Sequence, residues 1–185
     1  MSETLQEATN GLRWLADACD LDSAEFPLPT VISEQMETCG FAGELKRYLS
    51  QWIANVDPGS VFDRSTRLYR WLPLGMVLRV LAFLGYDGLL YWQEGRVIGH
   101  TFFQRHGTDL CGFSVGLGRE YLHRGQATVM VLDLIAHASR VEGIERVRIG
   151  SGRSRATQRV LQVLRAHRDR LPFGFGEDGW IDFVP

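Results

Sequence analysis

The sequence has few cysteines, and none of them forms a metal-ligand pattern. Cys19, Cys39 and Cys111 are widely spaced, and no Cys-x-x-Cys or Cys/His pair accompanies them. The odd number argues against a disulfide framework, and the spacing argues against a structural zinc site. We therefore expect reduced thiols in a cytoplasmic protein, with no metal site.

A strong net charge, a leader peptide and a long apolar run are also lacking. The formal net charge is −2, which gives no bulk attraction to nucleic acid or to an anionic membrane. The first residues lack the basic start and apolar run of a signal peptide. The most apolar stretch, 72–90, is too interrupted by glycine, proline and charge to span a membrane. We expect neither a nucleic-acid nor a membrane partner.

The first half of the chain has a helical pattern. A chain of 185 residues that is 45% hydrophobic is large enough for one compact core and small for two. Apolar residues recur at three- and four-residue steps in four segments, at 1–20, 33–56, 61–71 and 74–84. No repeat or linker separates this region from the rest. We predict a single domain, 1–185, in which a mainly helical segment (1–85) shares its core with residues 86–185.

The second half has a mixed pattern. Runs of β-branched and aromatic residues bounded by turns predict three antiparallel strands, at 88–93, 96–104 and 110–117. A helix, a strand, a second helix and a last strand are predicted at 127–142, 146–149, 154–170 and 180–184. Because a helix joins the strands at 110–117 and 146–149, these two can pair in parallel. The predicted fold class is α/β of the α+β kind, with a mixed, mainly antiparallel sheet and a helical N-terminal part.

The most informative segment leads from the strand at 110–117 through a glycine-containing loop into a helix. Backbone N–H groups at a helix start have no intrahelical partner and carry the positive end of the helix dipole. They can therefore bind a phosphate or pyrophosphate. Gly125 permits a phosphate to approach the backbone closely, the small side chain of Ala127 leaves room beside it, and Arg124 adds a positive charge beside the site.

This segment resembles the coenzyme A signature of the GNAT N-acetyltransferase superfamily, (Gln/Arg)-x-x-Gly-x-(Gly/Ala) after a Pro-Glu-Tyr-like turn. The matching residues are Glu120, Tyr121, Arg124, Gly125 and Ala127. Leu122 stands where the family usually has Gln or Arg, and Arg119 replaces the common proline. The order of predicted elements also matches, so the resemblance covers roughly residues 86–185, while 1–85 corresponds only loosely to the family's variable helical part.

The resemblance implies a GNAT-like fold with splayed central strands and an acyl-CoA donor, acetyl-CoA or a longer acyl-CoA. The pantetheine arm would pair with the backbone of Phe113, Val115 and Leu117 like an extra strand. The acyl thioester would lie near the start of the splay, around 111–114 and 149–151. The pyrophosphate would bind the backbone N–H groups of His123, Arg124, Gly125, Gln126, Ala127 and Thr128.

Two side chains are candidates for catalysis. His100 would face the acceptor cleft as a general base with a pKa suited to neutral pH, or would be a hydrogen-bonded structural histidine. Ser114 would donate a hydrogen bond to the leaving thiolate. The family often uses a tyrosine on the last helix for that purpose, and residues 154–170 contain none.

The resemblance implies an acyl-CoA-dependent N-acyltransferase that transfers an acetyl or other acyl group to an amine by direct attack in a ternary complex. Two alternatives stay open: an acyl carrier protein as donor, and a GNAT-fold protein that binds acyl-CoA without turnover. An arginine cluster is either a solvated face with ion pairs or a dock for the 3′-phosphate of coenzyme A or a carrier protein. Its members are Arg146, Arg148, Arg153, Arg155, Arg159, Arg165, Arg168 and Arg170.

Overall fold

The structure is a computed structural model in which a seven-stranded sheet carries helices on both faces. It describes Leu12 and residues 26–55, 73–118, 126–149, 155–171, 173–176 and 180–183. None of the helices in these ranges is long and apolar enough to cross a membrane.

The helices are α1 (Ile32–Gln35), α2 (Phe41–Asn55), α3 (Leu74–Phe83), α4 (Gln126–Ala138) and α5 (Arg155–Ala166), with a 3-10 turn at Arg168–Arg170. The strands are β1 (Pro29–Val31), β2 (Tyr86–Gln93), β3 (Arg96–His106), β4 (Asp109–Leu117), β5 (Arg146–Ile149), β6 (Gly174–Phe175) and β7 (Trp180–Asp182). Their spatial order is β1-β2-β3-β4-β5-β7-β6, and only β4 and β5 pair in parallel. The predicted fold class, a mixed and mainly antiparallel sheet, is confirmed, as is the parallel pairing across α4.

Three details were not predicted. The edge strands β1 and β6 have three and two residues, too few to show an alternating pattern. The helix predicted over 33–56 divides into α1 and α2, because the chain turns at Gly40, whose φ of 81° lies in the left-handed region. The helices predicted at 1–20 and 61–71 lie outside the continuous described segments.

The apolar residues divide between two faces of the sheet, because successive side chains on a strand point to opposite sides. The α2 face is covered by α1, α2 and α3, whose buried residues pack against Leu90 and Val97. The α4 face is covered by α4 and α5, which pack against Leu89, Leu110 and Val147. Burying an aliphatic side chain of this size stabilises the fold by about 1.5–3 kcal/mol. The sheet is therefore the shared wall of two hydrophobic clusters.

Polar contacts tie the helical segment to the sheet on the α2 face. Ser33, near the start of α1, donates from its backbone N–H to Asp87 Oδ1 (3.1 Å) and from its hydroxyl to Asp87 Oδ2 (2.5 Å). Trp92 Nε1 donates to Thr30 Oγ1 at 2.9 Å, which joins β2 to β1. Residues before the hairpins thus share hydrogen bonds as well as core with the strands.

The helix α4 lies close above β4 at a glycine. A Cβ atom added at Gly112 would stand 2.5 Å from Leu134 Cδ2, well inside van der Waals contact. Leu134 is fully buried, so it has little room to move aside. Gly112 therefore permits the close packing that brings the start of α4 over the end of β4.

Candidate functional site

Among the described residues, the pairing between the two parallel strands ends in the middle of the sheet. The last pair is Gly112 with Ile149, where β5 ends, whereas β4 continues to Leu117. Phe113, the next residue of β4, is the extra residue of a β-bulge, since Gly112 pairs with Phe103 and Ser114 with Phe102. Beyond this point β4 pairs with β3 on one side and, among the described residues, with no strand on the other.

The residues expected to contact the pantetheine arm lie on this freed part of β4. Phe113, Val115 and Leu117 all follow the last β4–β5 pair. Val115 is 39% exposed, which is unusual for a valine in a central strand, and Leu117 is half-buried. The freed edge is therefore accessible, as an added strand would require.

The residues expected to hold the pyrophosphate are only partly described. His123, Arg124 and Gly125 lie outside the described residues. Gln126, Ala127 and Thr128 form the first turn of α4, in which Gln126 and Ala127 are half-buried and Thr128 is 4% exposed. The helix predicted from this segment is confirmed, and the role of its N–H groups stays a prediction.

The two candidate catalytic side chains are brought together, and a third residue joins them. His100 Nε2 lies 3.1 Å from Ser114 Oγ, and His100 Nδ1 lies 3.0 Å from the hydroxyl of Tyr48 on α2. The Tyr48 hydroxyl also donates to the carbonyl oxygen of Gly116 at 3.2 Å. Three side chains from α2, β3 and β4 thus form one hydrogen-bonded chain on the α2 face.

The direction of this chain follows from its last acceptor. A carbonyl oxygen only accepts, so Tyr48 donates its proton to Gly116 O, and its own oxygen accepts from Nδ1–H of His100. The other ring nitrogen, Nε2, is then an acceptor for the O–H of Ser114. This proton assignment rests on the pattern of donors and acceptors. It holds the Ser114 hydroxyl in one orientation, with its lone pairs free to face another group.

Burial keeps the His100 imidazole neutral. The side chain has no solvent exposure, and Phe102 stacks on its ring with centroids 4.1 Å apart. Desolvation lowers the pKa of His100 to about 3, because a buried imidazolium loses its hydration. The pKa suited to neutral pH that the sequence suggested is therefore wrong. Of the two expected roles, the hydrogen-bonded histidine has the support of the contacts.

Tyr48 was not predicted to take part in the site. Its place in the apolar stripe of α2 suggested a core residue, and it is indeed only 4% exposed. The signal that could have identified it is chemical, since a buried tyrosine hydroxyl usually needs a hydrogen-bond partner. Glu44, one turn earlier, fixes the helix to the sheet by accepting from Val97 N at 3.0 Å and from Arg47 Nε at 2.7 Å.

Two bulges determine which face of the sheet His100 and Ser114 occupy. In β3, Tyr91 pairs with Gly99 and Trp92 with Val97, so Ile98 is an extra residue. Strict alternation from Val97, which packs on the α2 face, would turn His100 toward the α4 face. The second bulge, at Phe113, acts in the same way on Ser114. With the hairpin register fixed at His106 and Asp109, removal of the Phe113 bulge would pair Ser114 with Thr101 and turn it away from His100, so their hydrogen bond depends on that bulge.

The arginine cluster separates into members with different surroundings. Arg146 forms two hydrogen bonds with Asp109, at 2.5 and 2.8 Å, and lies over the Trp180 ring at 4.4 Å. These bonds with Arg146 lower the pKa of Asp109. Arg148 lies over the same ring, with its Cζ 5.1 Å from the centroid. Arg168 and Asp169 are 3.5 Å apart but both largely exposed, so that pair contributes little to stability.

The remaining members of the arginine cluster are exposed, or their side chains are not described. Arg159, Arg165 and Arg170 are exposed on α5 and the 3-10 turn. Arg153 and the side chain of Arg155 lie outside the described part. No group of three or more His, Cys, Asp or Glu side chains in the described residues could hold a metal ion.

Comparison with solved structures finds similar folds at low identity. No protein-family model matches the chain. No curated protein matches it either. A GNAT-family acetyltransferase from Streptococcus pneumoniae is 15% identical, with 76% of this chain and 90% of that chain covered and a TM-score of 0.45. A Trypanosoma brucei acetyltransferase is 15% identical, with 74% and 89% covered and a TM-score of 0.46.

A third similar structure is the PaiA N-acetyltransferase from Thermoplasma acidophilum, solved in complex with coenzyme A. It is 16% identical to this chain, with 83% of this chain and 96% of that chain covered and a TM-score of 0.40. At these identities and TM-scores the likenesses are too weak to carry an assignment of function, which has to rest on this chain's own residues.

Proposed function

We propose that this protein is an acyl-CoA-dependent N-acyltransferase, which transfers an acetyl or longer acyl group to an amine by direct attack within a ternary complex. The observation that carries the proposal is that, among the described residues, β4 has no partner on its β5 side beyond Gly112 and exposes Val115 there. The backbone of such a strand edge can pair with the amides of a ligand, and the N–H groups of the neighbouring helix start can bind a phosphate of the same ligand. The signature-like residues 119–127 lie, in the sequence, between β4 and the first turn of α4 and include its first two residues.

In this proposal the backbone binds the donor. The amides of the pantetheine arm pair with β4 between Phe113 and Leu117, where no described residue pairs with this edge of the strand. The pyrophosphate binds the N–H groups of His123 to Thr128, with Arg124 as a neighbouring positive charge. The thioester then lies close to Ser114, at the start of the freed edge.

The Tyr48–His100–Ser114 chain then acts by positioning. His100 is a poor acceptor for a proton passed from Ser114, since burial lowers its pKa to about 3. We therefore assign Ser114 Oγ as an acceptor that orients the N–H of the attacking amine, with His100 and Tyr48 as positioning residues. As the C–N bond forms and the C–S bond breaks, the amine's proton leaves to solvent and the thiolate takes one from solvent.

The first test is a thermal melt with acetyl-CoA, longer acyl-CoAs and free coenzyme A. A ligand at 100 times its dissociation constant adds about 2.7 kcal/mol, which in a chain of this size raises Tm by about 5–10 °C. Gly125→Glu, which places a carboxylate in the pyrophosphate loop, should lose the response. The matched control is Gly43→Glu on the exposed side of α2, where an added Cβ meets nothing within 4 Å. A response that survives Gly125→Glu would refute the assigned donor site.

The second test measures release of free coenzyme A with a panel of amines. Amine-dependent release supports the transferase. An unchanged melt with every coenzyme A species would favour a carrier-protein donor, which the same assay detects with acyl carrier protein. Binding without turnover over the whole panel would favour the non-catalytic alternative.

A further inference from the structure

The α2 face of the sheet continues from the Ser114 site toward β5 and β7. Residues opposite each other on neighbouring strands share a face. One row across the sheet consists of Gln104, Cys111, Arg148 and Trp180, which are successive pairing partners. The neighbouring row contains Phe102 and Ser114, which belong to the site. Arg148 therefore lies on the same face as the reacting end of the proposed site, one row away.

The distance between Ser114 and Arg148 suits a small molecule. Two residues along a strand span about 6.7 Å, and neighbouring strands lie about 4.8 Å apart, so the two Cα atoms are about 8 Å apart. The freed edge that would hold the donor runs from Phe113 toward Leu117 and α4, whereas Arg148 lies on the other side of Ser114. Arg148 is thus placed toward the acceptor rather than toward the coenzyme A phosphates.

The two arginines of β5 differ in what they can bind. Arg146 is held by Asp109 through two hydrogen bonds, and it pairs across the sheet with Asp182. Both acids lie in its own row, which is further from Ser114. Arg148 is exposed and, within the described residues, forms no hydrogen bond or close ion pair with a carboxylate, although its charge acts on Asp109. Of the described charged residues on β3, β4, β5 and β7, it is the one whose row on this face adjoins that of Ser114.

Trp180 orients Arg148 without using its hydrogen-bond donors. The guanidinium carbon lies 5.1 Å from the ring centroid, within the range of a cation–π contact. A guanidinium that lies over an aromatic ring keeps its N–H edge free for a planar anion. A guanidinium that is oriented in this way can bind a carboxylate or phosphate through two hydrogen bonds.

We propose that the acceptor is an amine that also carries an anionic group, a carboxylate or a phosphate, and that Arg148 binds this group while Ser114 orients the amine. This inference rests on the proposed function and adds the substrate class to it. The shared chemistry is an anion within a few bonds of a primary amine, as in amino acids and aminoalkyl phosphates.

The experiment uses matched pairs of amines that differ in the anionic group: an α-amino acid with its amide, and an aminoalkyl phosphate with the corresponding amino alcohol. Binding to the full chain saturated with free coenzyme A is measured by calorimetry, and kcat and KM are measured with acyl-CoA. The wild type should bind the anionic member of at least one pair about tenfold to hundredfold more tightly, since hydrogen bonds to charged groups have this worth.

The variants Arg148→Gln and Arg146→Gln distinguish specific binding by Arg148 from a general effect of positive charge on β5. Arg148→Gln should remove the preference by raising Kd and KM for the anionic member alone, while Arg146→Gln should retain it. Equal binding of both members of every pair, or an equal loss for both members in Arg148→Gln, would overturn the inference. If Arg148→Gln weakens only the binding of acyl-CoA and leaves the binding of every amine unchanged, the inference is also overturned, and Arg148 belongs to the donor site.

These outcomes are distinct from a failure of the proposed function. If no coenzyme A species binds, the transferase proposal fails, and the calorimetry on the free chain still decides whether Arg148 binds anionic amines. If acyl-CoA binds and neutral amines are acylated as well as anionic ones, only the inference about the acceptor fails.

Discussion

Acidification should destabilise this protein through a histidine that is buried in the neutral form. The pKa of His100 is about 3 in the folded protein because of desolvation, and about 6.5 in the unfolded chain. Between these values the unfolded state binds more protons, so stability falls as the pH drops through this window. From pH 7 to pH 5 the loss from this one group is about 2 kcal/mol.

The measurement is urea unfolding of the wild type and His100→Asn at pH 7, 6 and 5. Asparagine does not titrate and can keep a hydrogen bond to Tyr48. The variant should be less stable at pH 7, yet it should lose about 2 kcal/mol less than the wild type between pH 7 and 5. The pKa of His137 is also lowered by burial, to about 4, and its contribution cancels in this comparison.

The control for this experiment is His106→Asn at the exposed end of β3. It makes the same imidazole-to-amide change without removing any contact of the Tyr48–His100–Ser114 chain. Parallel losses of stability in the wild type and His100→Asn would refute the reasoning, because they would show that the His100 ring can take up a proton in the folded state. The assigned proton direction of the Tyr48–His100–Ser114 chain would then be wrong as well.

Three further substitutions test other parts of the fold. Tyr48→Phe removes the hydroxyl that contacts His100 Nδ1 and Gly116 O, and should lower the free energy of unfolding in urea by about 1–3 kcal/mol. It should also lower kcat more than it changes KM, and an unaltered kcat would contradict the positioning role. Thr101→Val should raise the free energy of unfolding by up to about 1 kcal/mol, since its buried hydroxyl has no hydrogen-bond partner within the part of the chain that the structure describes. Thr30→Val removes the acceptor of Trp92 Nε1 and should lower the free energy of unfolding. Gly112→Ala should lower the free energy of unfolding by about 1–3 kcal/mol, because the new Cβ meets Leu134. Its control, Gly43→Ala on the exposed side of α2, should leave that free energy unchanged or raise it. Equal effects at the two glycines would argue against close packing of α4 on β4.

Several features followed from local sequence alone. The hairpins formed by β2, β3 and β4 are marked by short apolar and aromatic runs separated by glycine-containing turns, and the backbone at Gly95 and Gly107 has the positive φ that such turns need. The parallel pairing of β4 with β5 followed from the helix between them, since only a crossover connection can join parallel neighbours. The resemblance in residues 119–127 supplied the expectation of a coenzyme A site.

Short edge strands and the break between α1 and α2 escaped this kind of analysis. Three- and two-residue strands carry too few positions for a period to be visible, and their extended form depends on pairing with β2 and β7. The split near Gly40 has no proline to mark it. Whether one glycine ends a helix or lies within it depends on the packing that follows.

The candidate site shows most clearly which features the sequence determines and which the tertiary structure decides. The sequence by itself determined the residue types and the strands on which His100 and Ser114 lie. Only the tertiary structure decided that they meet, because Tyr48 is 52 positions from His100 along the chain and Ser114 is 14 positions from it. Their common face depends on the bulge at Phe113, which reverses strict alternation in β4. A bulge is selected by how neighbouring strands pair and how helices pack on them, and a single strand's pattern does not contain that information.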